Sequence, residues 1–113
     1  MKKLFLRLQL INNIYIMEKS RKEILDAVKK CICEIYEEQG EDVKQLDNLF
    51  TSDDSLVEET DLYWEIGFSS LEMQDFVCKI NESLQVNIPD ESLVYINTIG
   101  DMVNYLYKKL NID

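Results

Sequence analysis

The sequence predicts an all-α fold, a small bundle of three longer helices and one short helix. The 113 residues include only three glycines and one proline, and leucine, isoleucine, glutamate and lysine predominate, a composition typical of helices. Apolar residues recur every three to four positions, and no strand pattern competes with them. With 46% hydrophobic residues, the chain suits one small domain with a single core.

The first helix is predicted to begin after Ser20. Ser20 and Glu23 have the spacing of a capping box, in which each side chain accepts a hydrogen bond from the backbone N–H of the other residue. The apolar residues that follow at helical spacing, up to Gly40, are Ile24, Leu25, Val28, Ile32, Ile35 and Tyr36. We expect this stripe to face the core, with Cys31 near its edge and Cys33 off it.

Residues 41–60 form an extended connection to the next long helix and are rich in acidic and polar residues. Its apolar residues at helical spacing are Val43, Leu46, Leu49 and Phe50. They predict a short extra helix, followed by an acidic loop around Asp53 and Asp54. That loop lacks the alternating acidic ligands, central glycine and terminal glutamate of an EF-hand, so no metal site is predicted.

The second long helix is predicted from Ser70 to Leu84. Its expected inner face consists of Leu71, Phe76, Val77, Ile80 and Leu84. Three apolar residues precede it, and we expect them to seat the connecting loop against the bundle; they are Leu62, Trp64 and Ile66.

A helix boundary is predicted at Ile88 and Pro89. The second long helix has ended before them, and a short helix begins there, because proline suits the first turn of a helix. The short helix that begins there is predicted to carry Leu93, Val94 and Ile96. Asn97 or Thr98 then caps a final helix that runs to Leu110. The apolar stripe of that helix consists of Ile99, Met102, Val103, Leu106 and Leu110.

The segment Gly67-Phe68-Ser69-Ser70-Leu71 places a serine at the predicted junction between loop and second helix. Gly67 permits a turn with positive φ, and Ser70 suits an N-cap or first-turn position. The helix directs free N–H groups and its positive dipole end toward the junction, which favours a phosphate group on Ser70. Without further information, capping alone also explains this serine.

The charge balance narrows the classes of partner. There are 12 basic and 22 acidic residues, a net charge of −10, so the chain is not expected to bind nucleic acid. A partner with a basic protein surface fits this charge, and so does acidity that serves only solubility. The chain has no histidine, which excludes Ser-His-Asp and Cys-His catalysis.

The three cysteines, Cys31, Cys33 and Cys78, are odd in number and lack the spacing of a zinc site. We therefore expect reduced thiols packed in helices and a cytoplasmic location.

Residues 1–16 combine basic and apolar residues but lack the small-residue cleavage site of a signal peptide and are too short to span a bilayer. We expect a non-essential or disordered extension, with the domain proper at residues 17–113. An amphipathic helix that binds a membrane surface or a partner is the alternative, and stable membrane insertion is not expected.

Three linked segments resemble the acyl carrier proteins: DLYWEIGFSSL at 61–71, IPDE at 88–91 and INTIGDMVNYL at 96–106. They have the order and spacing of that family's Gly-x-Asp-Ser-Leu motif and of the segments that open its third and fourth helices. The resemblance covers about residues 18–110. Within its motif, Gly67, Ser69 and Leu71 surround Ser70.

The resemblance implies a carrier that catalyses nothing itself. A phosphopantetheinyl transferase would attach 4′-phosphopantetheine from coenzyme A to Ser70, and the thiol of the arm would hold an acyl or aminoacyl group as a thioester. Fatty-acid, polyketide or related biosynthetic enzymes would use it. The family's acidic docking face maps onto Glu72, Asp75, Glu82, Asp90 and Glu91, which would contact basic patches on these enzymes. A monomer is expected.

The sequence also departs from the family pattern. Ser69 occupies the usual aspartate position and is a rival acceptor, although Ser70 keeps the register with Leu71. Lys79 interrupts the acidic second helix, and residues 41–60 lengthen the first connection. These differences favour a specialised carrier over a housekeeping fatty-acid carrier. An unmodified helical adaptor with the same fold is the alternative function.

Overall fold

The computed structural model describes residues 20–111, which form helices joined by turns. The α-helices in this part are α1 (Arg21–Glu38), α2 (Asp47–Phe50), α3 (Asp54–Glu58), α4 (Ser70–Leu84) and α5 (Ile99–Leu110). Two 3-10 helices, Val43–Leu46 and Asp90–Tyr95, lie between them. The predicted all-α bundle is confirmed: α1, α4 and α5 are the longer helices, and Asp90–Tyr95 is the short one.

Side-chain caps fix where the long helices begin. At α1, Ser20 and Glu23 form the predicted capping box, with N···O distances of 2.9 and 3.1 Å. At α5, the cap is Thr98, which pairs with Asp101 in a second capping box. Each such cap satisfies N–H groups that the first helical turn leaves without a partner.

The core lies between the three long helices, because α1 packs against both α4 and α5. The largest side chains that are fully buried there include Ile24, Ile32, Phe76, Ile80, Ile99 and Leu106. Burial of each such side chain contributes about 1.5–3 kcal/mol to folding. Since these residues come from all three helices, the bundle and its core form together.

The inner face of α4 differs from the prediction at one position. Leu71 is exposed, and Met73 is buried in its place. At 100° per residue, Leu71 is rotated by about 200° from Met73, so the two cannot share a face. The buried stripe therefore begins at Met73 and continues through Phe76 and Ile80.

The loop before α4 is seated by two of the three predicted residues. Leu62 and Ile66 are buried, but Trp64 is exposed. Residues 61–66 form tight turns, and the Ile66 N–H donates to the Asp61 carbonyl at 3.0 Å. In such a coiled turn, residues four apart face the same side and the residue midway between them faces the other. Trp64 is that middle residue.

The predicted acidic loop around Asp53 and Asp54 is wrong, because these residues begin helix α3. The Asp53 side chain accepts from the Ser55 N–H as an N-cap. Asp54 lies close to Lys22 and Lys29 of α1, which offset its charge. In the short helix after residue 88, Pro89 lies just before the first turn and Ile96 just after the last.

Two expectations concern the ends of the chain and membranes. The predicted extension at residues 1–16 lies outside the described residues. Within residues 20–111, no helix is long and apolar enough to cross a membrane.

Gly100 in the first turn of α5 is packed against α3. A Cβ atom at this position would lie 2.8 Å from the backbone oxygen of Glu58. We expect Gly100→Ala to lower the free energy of unfolding by up to about 2 kcal/mol, since overpacking costs about 1–3 kcal/mol and the gain in helix propensity recovers about 1. Urea denaturation would measure the change.

Asn104→Ala is the matched control, because Asn104 is exposed on the same helix. It should leave stability unchanged or raise it slightly. If Gly100→Ala also raised stability, the close contact between α5 and α3 would be contradicted.

Candidate functional site

The candidate site is the junction between the turn at residues 61–68 and helix α4. Gly67 has φ +87°, a left-handed conformation that favours glycine. The next residue, Phe68, is buried, and its ring lies 5.4 Å from that of Phe76. The chain then returns to the surface, where Ser69 and Ser70 are exposed. A buried phenylalanine on one side of the serines therefore fixes where they emerge.

Asp61 organises this turn through its side-chain carboxylate and its backbone N–H. Its carboxylate oxygen Oδ1 accepts from the N–H groups of Tyr63 and Trp64, both at 2.8 Å. The Asp61 N–H in turn donates to the side chain of Glu65 at 2.9 Å. Both carboxylates are thus hydrogen-bonded to the backbone that they shape.

The same turn is joined to α5. The Leu62 N–H donates to the Asn97 carbonyl at 2.7 Å, and Asp61 and Thr98 form an isolated antiparallel bridge. The Phe68 N–H donates to the Leu62 carbonyl at 2.9 Å and closes the turn.

Helix α1 holds the other side of the turn. The Tyr36 hydroxyl donates to the Ile66 carbonyl at 2.7 Å, one residue before Gly67. Burial, with smaller contributions from Glu41 and Glu72, raises the pKa of Tyr36 above its ordinary value of 10.0. The phenol therefore stays protonated and available as a donor at neutral pH.

The two serines have different roles at the start of α4. Ser69 is the N-cap, and its Oγ accepts from the Glu72 N–H at 3.2 Å. Glu72 completes a capping box by accepting from the Ser69 N–H at 2.8 Å. Ser70 is the first residue of the helix, as predicted, and within residues 20–111 its hydroxyl has no hydrogen-bond partner.

The junction suits a phosphate ester on Ser70. In the described part of the chain, the N–H groups of Ser70 and Leu71 have no acceptor, as expected for the first turn of a helix. They supply hydrogen-bond donors and the positive end of the helix dipole beside an exposed hydroxyl. The capping role already occupies the Ser69 hydroxyl.

The five predicted docking carboxylates fall into two groups. Glu72 is half-buried and is held by the Ser69 N–H and by the side-chain amide of Gln39. The other four are exposed; they are Asp75, Glu82, Asp90 and Glu91. Asp75 and Glu82 lie seven residues apart and therefore on one face of α4. The charge of Lys79, which interrupts this acidic helix, is paired with Glu38 of α1.

The thiols do not form a site in the described residues. All three cysteines are free, and Cys31 is buried, which raises the pKa of its thiol to about 11. Cys33 is half-buried and Cys78 is exposed. No group of three or more metal-ligating side chains occurs between residues 20 and 111.

The sequence does not predict how the junction is held. It predicts Tyr36 only as part of the apolar stripe, and it indicates no role for Gln39 at the end of α1 or for Asp61 in the turn. A phenol at the edge of an apolar stripe is a weak signal, and so is an aspartate two and three residues before the backbone N–H groups that it accepts from, because their partners are set by tertiary packing and turn geometry.

Comparison with known proteins identifies similar chains. The family model for the phosphopantetheine attachment site matches residues 26–106. The acyl carrier protein of Thermotoga maritima is 32% identical over 91 residues, which cover 80% of this chain and 96% of that protein. The acyl carrier protein of Clostridium perfringens strain 13 is 30% identical over 60 residues, or 53% of this chain and 79% of that protein.

The different roles of the two serines predict different effects on stability. Ser69→Ala should lower the free energy of unfolding by about 1 kcal/mol, because it removes an N-cap. Ser70→Ala should change it by less than about 0.5 kcal/mol, as for an exposed residue without partners. Urea denaturation of both variants tests this, and an equal loss in Ser70→Ala would contradict the assignment of the cap to Ser69.

Proposed function

The chain belongs to the acyl carrier protein family, whose prosthetic group is covalently attached 4′-phosphopantetheine, and we propose that Ser70 is the residue that carries it. The observation that supports this assignment is the exposed Ser70 hydroxyl without a partner, next to a Ser69 hydroxyl that caps the helix. Ser70 also keeps the family's register before Leu71.

In this proposal the chain is the substrate of a phosphopantetheinyl transferase and not itself a catalyst. When bound, the prosthetic group supplies a terminal thiol that holds an acyl or aminoacyl group as a thioester. The residues of the chain perform a different task, which is to present Ser70. Tyr36 and Asp61 fix the turn, Ser69 and Glu72 fix the helix start, and the N–H groups of Ser70 and Leu71 favour the phosphate.

The proposed partners are the transferase and acyl-transferring enzymes with basic contact surfaces. Asp75 and Glu82 lie on one exposed face of α4, and Asp90 and Glu91 begin the short helix that follows. Exposed carboxylates of this kind increase the rate of encounter with a positively charged partner more than they increase affinity. A monomeric cytoplasmic carrier fits these roles, because one small bundle must visit several enzymes.

The proposed cargo is an acyl or aminoacyl group. Ser69 in place of the family's usual aspartate, and the helices α2 and α3 within the long first connection, favour a specialised carrier over a general fatty-acid carrier. Enzymes encoded beside the gene would identify that cargo, since they load and unload it.

Loading of the chain gives the direct test of the attachment site. After co-expression with a broad-specificity phosphopantetheinyl transferase and incubation with coenzyme A, intact mass should increase by one arm. Ser70→Ala should abolish the increase and Ser69→Ala should retain it. An increase lost only in Ser69→Ala would move the site to Ser69. No increase in the wild-type chain under any transferase would favour the unmodified adaptor.

Charge reversal tests the acidic docking face. Asp75→Lys should lower kcat/KM of loading several-fold at low salt and flatten its salt dependence, because it removes an attraction that salt screens. Glu59→Lys is the matched control, since Glu59 is also exposed, lies outside α4 and gives the same change in net charge. Equal effects of the two variants would show that net charge, and not the α4 face, steers the transferase.

A further inference from the structure

Exposed apolar side chains are concentrated near Ser70. In residues 20–111, the exposed large apolar residues are Trp64 (88% exposed), Tyr95 (79%), Leu71 (73%), Val94 (70%), Leu56 (56%) and Tyr107 (42%). The four most exposed lie in the turn before Ser70, directly after Ser70, and at the end of the short helix Asp90–Tyr95. We refer to these four residues, Trp64, Leu71, Val94 and Tyr95, as the apolar rim.

Backbone hydrogen bonds keep the segments of the apolar rim close together. Leu62 bonds to both Phe68 and Asn97, at 2.9 and 2.7 Å. Trp64 is two residues from Leu62, Ser70 is two residues from Phe68, and Tyr95 is two residues from Asn97. Chain geometry therefore keeps the backbone of Trp64 within roughly 20 Å of Ser70, and that of Tyr95 within roughly 25 Å. An interface of about 800 Å² per partner is roughly 30 Å across, so one partner can cover the rim.

Trp64 is exposed on an ordered turn. The backbone N–H of Trp64 donates to the Asp61 carboxylate at 2.8 Å. Leu62 and Ile66, two residues before and after it, are buried and anchor the turn. The backbone of such a turn needs no further ordering when a partner covers the indole. Tryptophan in this position is typical of the residues that contribute most to protein interfaces.

Three carboxylates beside Trp64 and Ser70 are engaged within the chain. Asp61 accepts from two backbone N–H groups, Glu65 from one, and Glu72 from the Ser69 N–H and the Gln39 amide. The exposed carboxylates of α4, Asp75 and Glu82, lie farther along the helix, on the face that continues from Leu71. The surface is thus apolar at the serine end of α4, and its exposed carboxylates lie farther along α4 and at the start of the short helix, as Asp90 and Glu91.

We propose, on the basis of the function proposed above, that the apolar rim docks the phosphopantetheinyl transferase that modifies Ser70, through an apolar recess in the enzyme that receives the Trp64 ring. Any enzyme that reaches the Ser70 hydroxyl must cover the surface next to it. Leu71 adjoins Ser70, and Trp64 and Tyr95 lie within the breadth of one such interface. The net charge of −10 opposes close association of two copies of the chain, which makes a second copy a poor occupant.

Kinetics of loading test this surface. Trp64→Ala should raise KM for the carrier at least tenfold while kcat changes less than threefold, because docking is lost and the serine is unaltered. Tyr107→Ala is the matched control: it removes an exposed aromatic ring near the far end of α5 and should change kcat/KM by less than twofold. A wild-type kcat/KM in Trp64→Ala, or an equal loss in Tyr107→Ala, would overturn the proposal.

The single tryptophan allows the contact to be observed without turnover. Ser70→Ala carrier labelled with 5-fluorotryptophan should give one ¹⁹F resonance that shifts saturably as transferase and coenzyme A are added. An unmoved resonance at saturation would overturn the proposed rim even if wild-type chain is loaded normally. If the wild-type chain gained no arm, the proposed function would fail instead. Sedimentation that showed a dimer dispersed by Trp64→Ala would assign the rim to a second copy.

Discussion

The position of Ser70 depends on how the turn at residues 61–68 is held between two helices. Tyr36 of α1 donates to the carbonyl of Ile66, and Leu62 donates to the carbonyl of Asn97 at the start of α5. Each bond is worth only about 1 kcal/mol by itself. Together with the buried rings of Phe68 and Phe76, they fix a segment that has no regular structure of its own. The serine can be exposed and yet positioned because the residues before it are anchored.

The helix that follows depends on a division of roles between adjacent hydroxyl groups. The Ser69 hydroxyl accepts from an N–H group of the first turn. The Ser70 hydroxyl, one residue later, is exposed to solvent and does not cap the helix. A residue that both capped the helix and bore the prosthetic group would lose its cap on modification, since an esterified oxygen is a poor acceptor. Separation of the two functions lets the helix start in the same way before and after loading.

The long helices could be predicted from local signals, whereas the contacts between segments could not. Ser20, Glu23 and the stripe of apolar residues define α1 within its own sequence, and the same holds for α5 with Thr98. The predictions for Leu71 and Trp64 are wrong because hydrophobicity alone does not include the helical phase and turn geometry that direct these side chains to solvent. The partners of Tyr36 and Gln39 are 30 and 33 residues away in the chain. No local pattern specifies such a pairing, so the motif indicates the junction before α4 but not the residues that support it.

The serine at position 69 has an electrostatic consequence for the loaded protein. If Ser70 carries the phosphodiester as proposed, an aspartate there would place a full negative charge about 6 Å from it, a repulsion of between about 0.7 kcal/mol in water and about 3 kcal/mol near a protein surface. The neutral cap would avoid this repulsion, so the loaded chain would keep a more stable helix start. Under the same proposal, a transferase would meet one negative charge fewer beside the residue that it modifies.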